Sequence, residues 1–198
     1  MYLIVGLGNP GEKYVKSRHN VGFLVLRNIV GDDWTSEKRE KSLISHASML
    51  DQELCYVMPQ TFMNNSGLAV KVLQNKFGVS PENIIVIHDD IDLPFGTWKI
   101  HYARGAGGHN GVQSIVDQIG TNEFVRVKVG IAPSDSDGKA MKPKPGIFQS
   151  QKAAVAKYVL KDFSKGDQEK IKVMSKDIES AIETLIKDGR EKAMNRYN

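Results

Sequence analysis

Cysteine is nearly absent from this chain of 198 residues, since Cys55 is the only one. One cysteine cannot form a disulfide within the chain, so the fold must be stabilised by its core. Long apolar runs are missing too, and the first one, Tyr2 to Val5, is too short for a secretory signal. We therefore expect a cytoplasmic protein that does not associate with a membrane.

The chain also lacks a strong excess of either charge, because its net charge is only +4. This mild basicity favours anionic partners but does not demonstrate nucleic-acid binding. Basic residues do cluster in two stretches, and a solvated surface explains such clusters as well as a phosphate-binding surface does. The clustered residues are Lys99, His101, Arg104, Arg126, Lys128, Lys139, Lys142 and Lys144.

Short β-branched runs alternate with amphipathic segments along the chain. The run from Ile84 to Ile87 has the composition of a buried strand, while 66–77 and 167–187 have the apolar spacing of helices. The apolar side of the first helix is predicted to comprise Leu68, Val72, Leu73 and Phe77. We predict an α/β fold, a single domain over residues 1–198, with a twisted, mixed, mostly parallel central sheet covered by helices on both faces.

The segment VGLGNPGEKYVKSRHNVGF, residues 5–23, contains the spacing G-x-G-x-x-G at Gly6, Gly8 and Gly11. A dinucleotide site needs a helix directly after these glycines, with free backbone N–H groups at its start. Pro10 has no N–H group, and the residues after Gly11 are charged and lack helical periodicity. The glycines therefore favour a tight turn over a nucleotide site.

Polar residues follow or interrupt the predicted elements in four segments, 6–10, 61–67, 88–90 and 107–111. Ligands of open α/β sheets bind at the carboxyl ends of the strands, so these segments predict one cleft lined by amides, a histidine and a carboxylate.

His19 directly precedes a predicted helix with Asn20 as its N-cap, and the positive end of that helix should keep the imidazole neutral. Asp89, just beyond the buried strand, is the candidate partner that orients the ring.

Two other chemistries compete with a histidine that activates water. The residues His88, Asp89, Asp90 and Asp92 could hold a metal, but strand alternation should place His88 and Asp89 on opposite faces. A serine nucleophile is disfavoured because the G-x-S-x-G turn is missing, and Cys55 lies in a predicted strand. Water activated by a histidine is the favoured chemistry.

Four motifs in this order, VGLGNPGEKYVKSRHNVGF, PQTFMNNSG, IIVIHDDIDLPFG and GAGGHNG, resemble those of bacterial-type peptidyl-tRNA hydrolases over essentially the whole chain. The resemblance implies an esterase without cofactor or metal that cleaves peptidyl-tRNA into free tRNA and peptide. It further implies a monomer that needs no obligate protein partner. Two rivals stay open, namely a non-catalytic RNA-binding module and a metal-dependent hydrolase.

The resemblance also implies roles for individual residues. His19 corresponds to the catalytic base, Asp89 to the residue that orients it, and Asn9 to the side chain that distinguishes N-blocked from free aminoacyl-tRNA. Contacts to the tRNA end or the ester fall on Tyr14, Phe62, Asn64 and Asn110. Asn65, where an apolar residue is usual, could replace Asn64 in facing the substrate, and Ser17 stands in the usual place of a threonine. The clustered basic residues would bind tRNA phosphates.

Overall fold

Seven strands form one mixed sheet in the computed structural model, which describes residues 1–146 and 149–198. The strands are β1 (Tyr2–Gly6), β2 (Thr35–Glu37), β3 (Ser42–Met49), β4 (Gln52–Pro59), β5 (Ile84–Pro94), β6 (Trp98–Tyr102) and β7 (Val125–Ala132). The helices of the described residues are α1 (Val21–Val30), α2 (Ser66–Phe77), α3 (Asn110–Ile119), α4 (Gln151–Val159), α5 (Lys165–Asp188) and α6 (Arg190–Tyr197).

The strands lie in the order β2-β3-β4-β1-β5-β7-β6. The central strands β4, β1, β5 and β7 are parallel neighbours, and antiparallel pairs complete both edges. One apolar cluster packs α1 and α5 on one face of the sheet, and a second packs α2 and α3 on the other. The predicted α/β architecture, with helices on both faces, is confirmed.

The start of α1 lies directly on the end of β1 and the middle of β5. A Cβ atom on Gly22 would lie 2.4 Å from the carbonyl oxygen of Ile87 and 2.4 Å from the backbone nitrogen of Leu7. Only glycine permits this approach, because real Cβ atoms do not come so close to backbone atoms. The contact places the residues that precede α1, including His19, beside the part of β5 that carries Asp89.

Two local predictions were wrong. β5 continues to Pro94 because β7 supplies backbone partners beyond Ile87, so Asp89 lies within the strand and not after it. On α2 the side chains of Leu68 and Val72 are 40% and 45% exposed, since the buried side faces α3 and carries Ala69, Val70 and Leu73. Helix α5 ends at Asp188, and α6 is a separate helix that begins after Gly189.

No helix among the described residues is both long enough and apolar enough to cross a membrane.

Candidate active site

The four polar segments meet at the carboxyl edge of the parallel strands, as the sequence predicted. They enclose a cleft of about 510 Å³, a volume typical of a small-molecule site. Its lining includes Asn9, His19, Phe62, Met63, Asn64, Asp89, Arg104, His109 and Asn110. Helix α4 closes one side of the cleft through Lys152, Val155 and Val159.

His19 and Asp89 form a hydrogen bond at the base of this cleft, with His19 Nδ1 2.8 Å from Asp89 Oδ1. The Asp89 side chain is only 4% exposed. Burial alone would raise its pKa, but His19 and His109 together lower the pKa well below 3.8. An ionised carboxylate only accepts hydrogen bonds, so Nδ1 of His19 carries the hydrogen and Nε2 of the neutral ring keeps a lone pair.

His109 binds the same carboxylate oxygen from the other side, with its Nε2 2.9 Å from Asp89 Oδ1. Its Nδ1 accepts from the backbone N–H groups of Gly111 and Val112, at 3.2 and 3.3 Å. The imidazole therefore caps the N-terminus of α3, and its hydrogen must lie on Nε2. This residue belongs to the motif GAGGHNG, but no local pattern around it indicates a role.

The pKa of His19 is shifted in the direction opposite to the one expected from the helix start. Burial lowers the pKa, but the charge of Asp89 and its hydrogen bond raise it more, so the pKa of His19 is raised above 6.5. A pKa raised by folding means that the ion pair stabilises the fold below pH 6.5, and that this contribution is lost as the pH rises through the folded value.

His88 and Asp89 are consecutive residues of β5, and both line the cleft. Nδ1 of His88 donates to the backbone carbonyl of Asp89 at 2.8 Å, and the ring packs edge-on against His109, with 4.7 Å between the ring centroids. Burial, reinforced by His109, keeps the pKa of His88 well below 6.5, so this ring is neutral.

Among the described residues, His88, Asp89, Asp90 and Asp92 do not come together as a group of metal donors. The donors that come together are instead His19, Asp89 and His109, within 4.8 Å of one another. Hydrogen bonds already join both rings to one carboxylate oxygen, and binding a metal through Nε2 of His109 would displace the hydrogen fixed there. These contacts describe a hydrogen-bonded cluster more closely than a set of metal ligands.

The side chain of Asn9 presents donors to the cleft. Its Oδ1 accepts from the backbone N–H of Met63 at 2.9 Å, which fixes the orientation of the amide. The NH2 group is therefore the end left for a substrate. Asn20, predicted as an N-cap, makes no capping bond with its side chain and instead bonds the backbone of Asn9.

Phe62, Asn64 and Asn110 also line the cleft, and the Phe62 ring is 57% exposed. Asn65 is not among the lining residues, so the geometry favours Asn64 of the two neighbours. Tyr14 lies in a 3-10 turn, Glu12–Tyr14, and does not line the cleft.

The chain is similar to known proteins over almost its whole length. The profile of the family described as peptidyl-tRNA hydrolase matches residues 3–198. The chain belongs to the peptidyl-tRNA hydrolase family. Members of this family are hydrolases that act on the ester bond of peptidyl-tRNA, so the resemblance carried by the four motifs is confirmed, and with it the enzyme class.

Individual relatives cover nearly the whole chain. A peptidyl-tRNA hydrolase of Syntrophotalea carbinolica is 38% identical over 200 residues, covering 100% of this chain and 97% of the relative. One of Aliarcobacter butzleri is 43% identical over 185 residues, covering 93% and 92%. The crystal structure of peptidyl-tRNA hydrolase from Acinetobacter baumannii superposes with a TM-score of 0.82 at 28% identity, covering 100% of this chain and 94% of that one.

The basic residues predicted to bind phosphate fall into distinct environments. Four of them line the cleft, namely His101, Arg104, Arg126 and Lys128. Arg126 is buried and donates to the carbonyl oxygen of Gly105 at 2.9 Å, while Lys128 forms an ion pair with Asp90. The cleft lining does not include Lys99, Lys139, Lys142 and Lys144, and Lys142 pairs with Asp92 at 2.7 Å.

Electrostatics around His101 show where positive charge concentrates. Its pKa is lowered by burial and then by the charges of Lys128, Arg126 and Arg104, with Asp90 opposing them. Lys152 on α4 adds a further cation to the cleft, which the sequence reading missed. Its helix begins at Gln151, far along the chain from the end of β7 at Ala132, so the sequence did not show that α4 returns to the cleft.

Long-range proton–nitrogen NMR spectra, recorded at a pH at which the histidine rings are neutral, test the hydrogen-bond pattern. We expect His109 to carry its hydrogen on Nε2 and His88 to carry its hydrogen on Nδ1, because their partners dictate opposite tautomers. Val112 N–H should lose its hydrogen-bonded shift in His109→Ala. A His109 ring with its hydrogen on Nδ1 would contradict the proposed link from α3 to Asp89.

Proposed function

We propose that this cleft hydrolyses the ester that joins the peptide to tRNA in peptidyl-tRNA, with a water molecule activated by His19. The observation that carries the proposal is the His19–Asp89 pair, 2.8 Å apart at the base of the cleft. Because Asp89 holds Nδ1, the other ring nitrogen is left as the basic site. General-base assistance of this kind contributes roughly 10² to 10⁴ in rate.

In the proposed reaction, the oxygen of water attacks the ester carbonyl carbon while Nε2 of His19 takes one proton. The negative charge of Asp89 stabilises the imidazolium that forms. The tetrahedral intermediate then collapses, the bond between the carbonyl carbon and the ribose oxygen breaks, and the imidazolium returns its proton to that oxygen. The products are a peptide with a free carboxyl group and an intact tRNA.

Side-chain amides are well suited to the neutral parts of this substrate. The NH2 group of Asn9 can donate to the carbonyl oxygen of the acyl group on the substrate nitrogen, which an N-blocked aminoacyl residue has and a free one lacks. Asn64 and Asn110, both at the cleft, can donate to the ester oxygen or the developing oxyanion. Loss of one oxyanion donor typically lowers the rate by about 10² to 10³. We place Phe62 against the terminal nucleotide or the peptide, with Tyr14 farther out along the tRNA.

The basic residues around the cleft are proposed to hold tRNA phosphates. The concentration of positive charge that lowers the pKa of His101 supports this placement. Arg104 is exposed at the cleft, whereas Lys128 and Lys142 would have to exchange their aspartate partners for a phosphate. Lys99, Arg126, Lys139 and Lys144 complete the proposed set, with Lys152 as an addition.

The same proposal extends to the state of the enzyme. One chain supplies every group used in the mechanism, which supports action as a monomer without an obligate protein partner. The reaction needs only water as a second substrate, and residues 1–198 act as one hydrolase domain. We place the enzyme in the cytoplasm, where tRNA serves translation.

A hydrolysis assay with N-acetylated and free aminoacyl-tRNA tests the function. The wild-type protein should release tRNA from the N-acetylated substrate, favour it over the free one and retain its rate in EDTA. His19→Ala should lose about 10² to 10⁴ in kcat, because the base is removed. His46→Ala is the matched control, since this histidine lies on β3 away from the cleft, and it should keep its rate.

Each alternative gives a different result in that assay. Activity abolished by EDTA and restored by a divalent metal would favour a metal-dependent hydrolase. Binding of tRNA without hydrolysis would favour an RNA-binding module. Near wild-type activity of His19→Ala would contradict the assignment of the base.

The salt dependence of KM tests the phosphate contacts. KM should rise steeply between about 50 and 200 mM salt, because phosphate binding releases counterions. Arg104→Ala should raise KM at low salt and reduce the slope of log KM against log salt by about one unit. Lys176→Ala, an exposed lysine on α5, is the control and should leave the slope unchanged. A flat response of the wild-type enzyme would contradict a phosphate-dominated interface.

A further inference from the structure

Asn20 is a buried amide next to the catalytic histidine, for which neither the mechanism nor helix α1 has a use. Asn20 is only 2% exposed, and its side chain makes no capping hydrogen bond to α1. We propose that Asn20 is a positioning residue that fixes the backbone of Asn9 and thereby aims the Asn9 amide at the N-blocked end of the substrate. This inference rests on the proposed function of the cleft.

The amide of Asn20 takes both backbone bonds of Asn9. Its Oδ1 accepts from the Asn9 N–H at 2.9 Å, and its Nδ2 donates to the Asn9 carbonyl at 2.9 Å. A neighbouring strand would bond the same two groups in a sheet, so the side chain replaces a strand where the chain has left β1. The last bond between this segment and the sheet is the Leu7 N–H to the Ile87 carbonyl, at 2.9 Å.

The orientation of the Asn20 amide is itself determined. Ser17 Oγ lies 3.3 Å from Asn20 Oδ1 and donates to it, and the Ser17 carbonyl accepts from the Asn20 N–H at 3.0 Å. Ser17 is fully buried. Two donors therefore converge on Oδ1, which assigns the NH2 group to the Asn9 carbonyl.

Asn9 is consequently held at three atoms by two different parts of the fold. Asn20 fixes its backbone N–H and carbonyl, and the backbone N–H of Met63 fixes its Oδ1 at 2.9 Å. The remaining polar group, the NH2, is the one that faces the cleft. A hydrogen-bond donor discriminates between two substrates only if it is held in place, because a mobile amide can rotate to suit either substrate.

Asn20→Asp is the sharpest variant, because it keeps the size of the side chain and the acceptor for the Asn9 N–H. Its second oxygen cannot donate, and it would lie against the Asn9 carbonyl. We expect KM for N-acetyl-aminoacyl-tRNA to rise about tenfold, roughly the effect of one lost hydrogen bond. The preference for N-acetylated over free aminoacyl-tRNA should fall by a similar factor.

The pH midpoint of kcat separates this role from a general structural one. Asn20 makes no hydrogen bond to His19 or Asp89 among the described contacts, so Ser17→Ala, which loosens the Asn20 amide without adding a charge, should leave that midpoint in place. Asn28→Ala is the matched control, because Asn28 is an amide on α1 that bonds Ser175 Oγ at 3.1 Å and does not line the cleft. It should change neither KM nor the preference.

A double-mutant cycle with Asn9→Ala completes the experiment. If Asn20 acts through Asn9, Asn20→Asp should raise KM little further in the Asn9→Ala background. If Asn20→Asp does not fold, Ser17→Ala, which frees only one bond to the Asn20 amide, should raise KM about twofold.

Additive effects in that cycle, or a fall in kcat with unchanged KM and preference, would overturn the positioning role. A wild-type enzyme that does not cleave N-acetyl-aminoacyl-tRNA would instead overturn the proposed function, and this is measured before any variant.

Discussion

The arrangement of the cleft depends on one buried carboxylate oxygen, Oδ1 of Asp89, which accepts hydrogen bonds from two imidazole rings. Each ring arrives on a different element. His19 precedes α1, which reaches the sheet because Gly22 has no side chain, and His109 caps α3 on the opposite face. The carboxylate therefore joins the two helical layers at the middle of β5. Moving any of these elements would break a bond to an ionised, buried group, which is costly.

The two histidines differ chemically in the ring nitrogen that does not bond Asp89. Nδ1 of His109 accepts from the start of α3, so both nitrogens of that ring are committed to the fold. His19 is bound to Asp89 through one nitrogen only, and the other remains for chemistry. The same carboxylate thus orients the ring of His19, which we propose as the base, together with the ring of His109, which serves the fold. His88, neutral and packed edge-on against His109, fills the remaining side.

The sequence predicted those features of the cleft that depend on local residue patterns. The strand before Asp89 and the helix after His19 have clear periodicity, and the ends of parallel strands meet at one edge, so their convergence was foreseeable. The role of His109 was not, because it depends on how the start of α3 turns back towards β5. The prediction of Asn20 as an N-cap was wrong because an asparagine before a helix is usually a cap. Only the tertiary fold brings the backbone of Asn9 within hydrogen-bond distance of the Asn20 side chain. Pairing of Lys128 with Asp90 likewise needs the register of β5 with β7.

The central claim is that the charge of Asp89 sets the base strength of His19. The pH dependence of kcat/KM on N-acetyl-aminoacyl-tRNA measures it directly, since only the neutral ring can accept a proton. The wild-type rate should rise with pH through a midpoint above 6.5, because Asp89 raises the pKa of His19. In Asp89→Asn, burial acts without the opposing charge, so the midpoint should fall, while Asp90→Asn should leave it in place. An unchanged midpoint in Asp89→Asn would contradict the account.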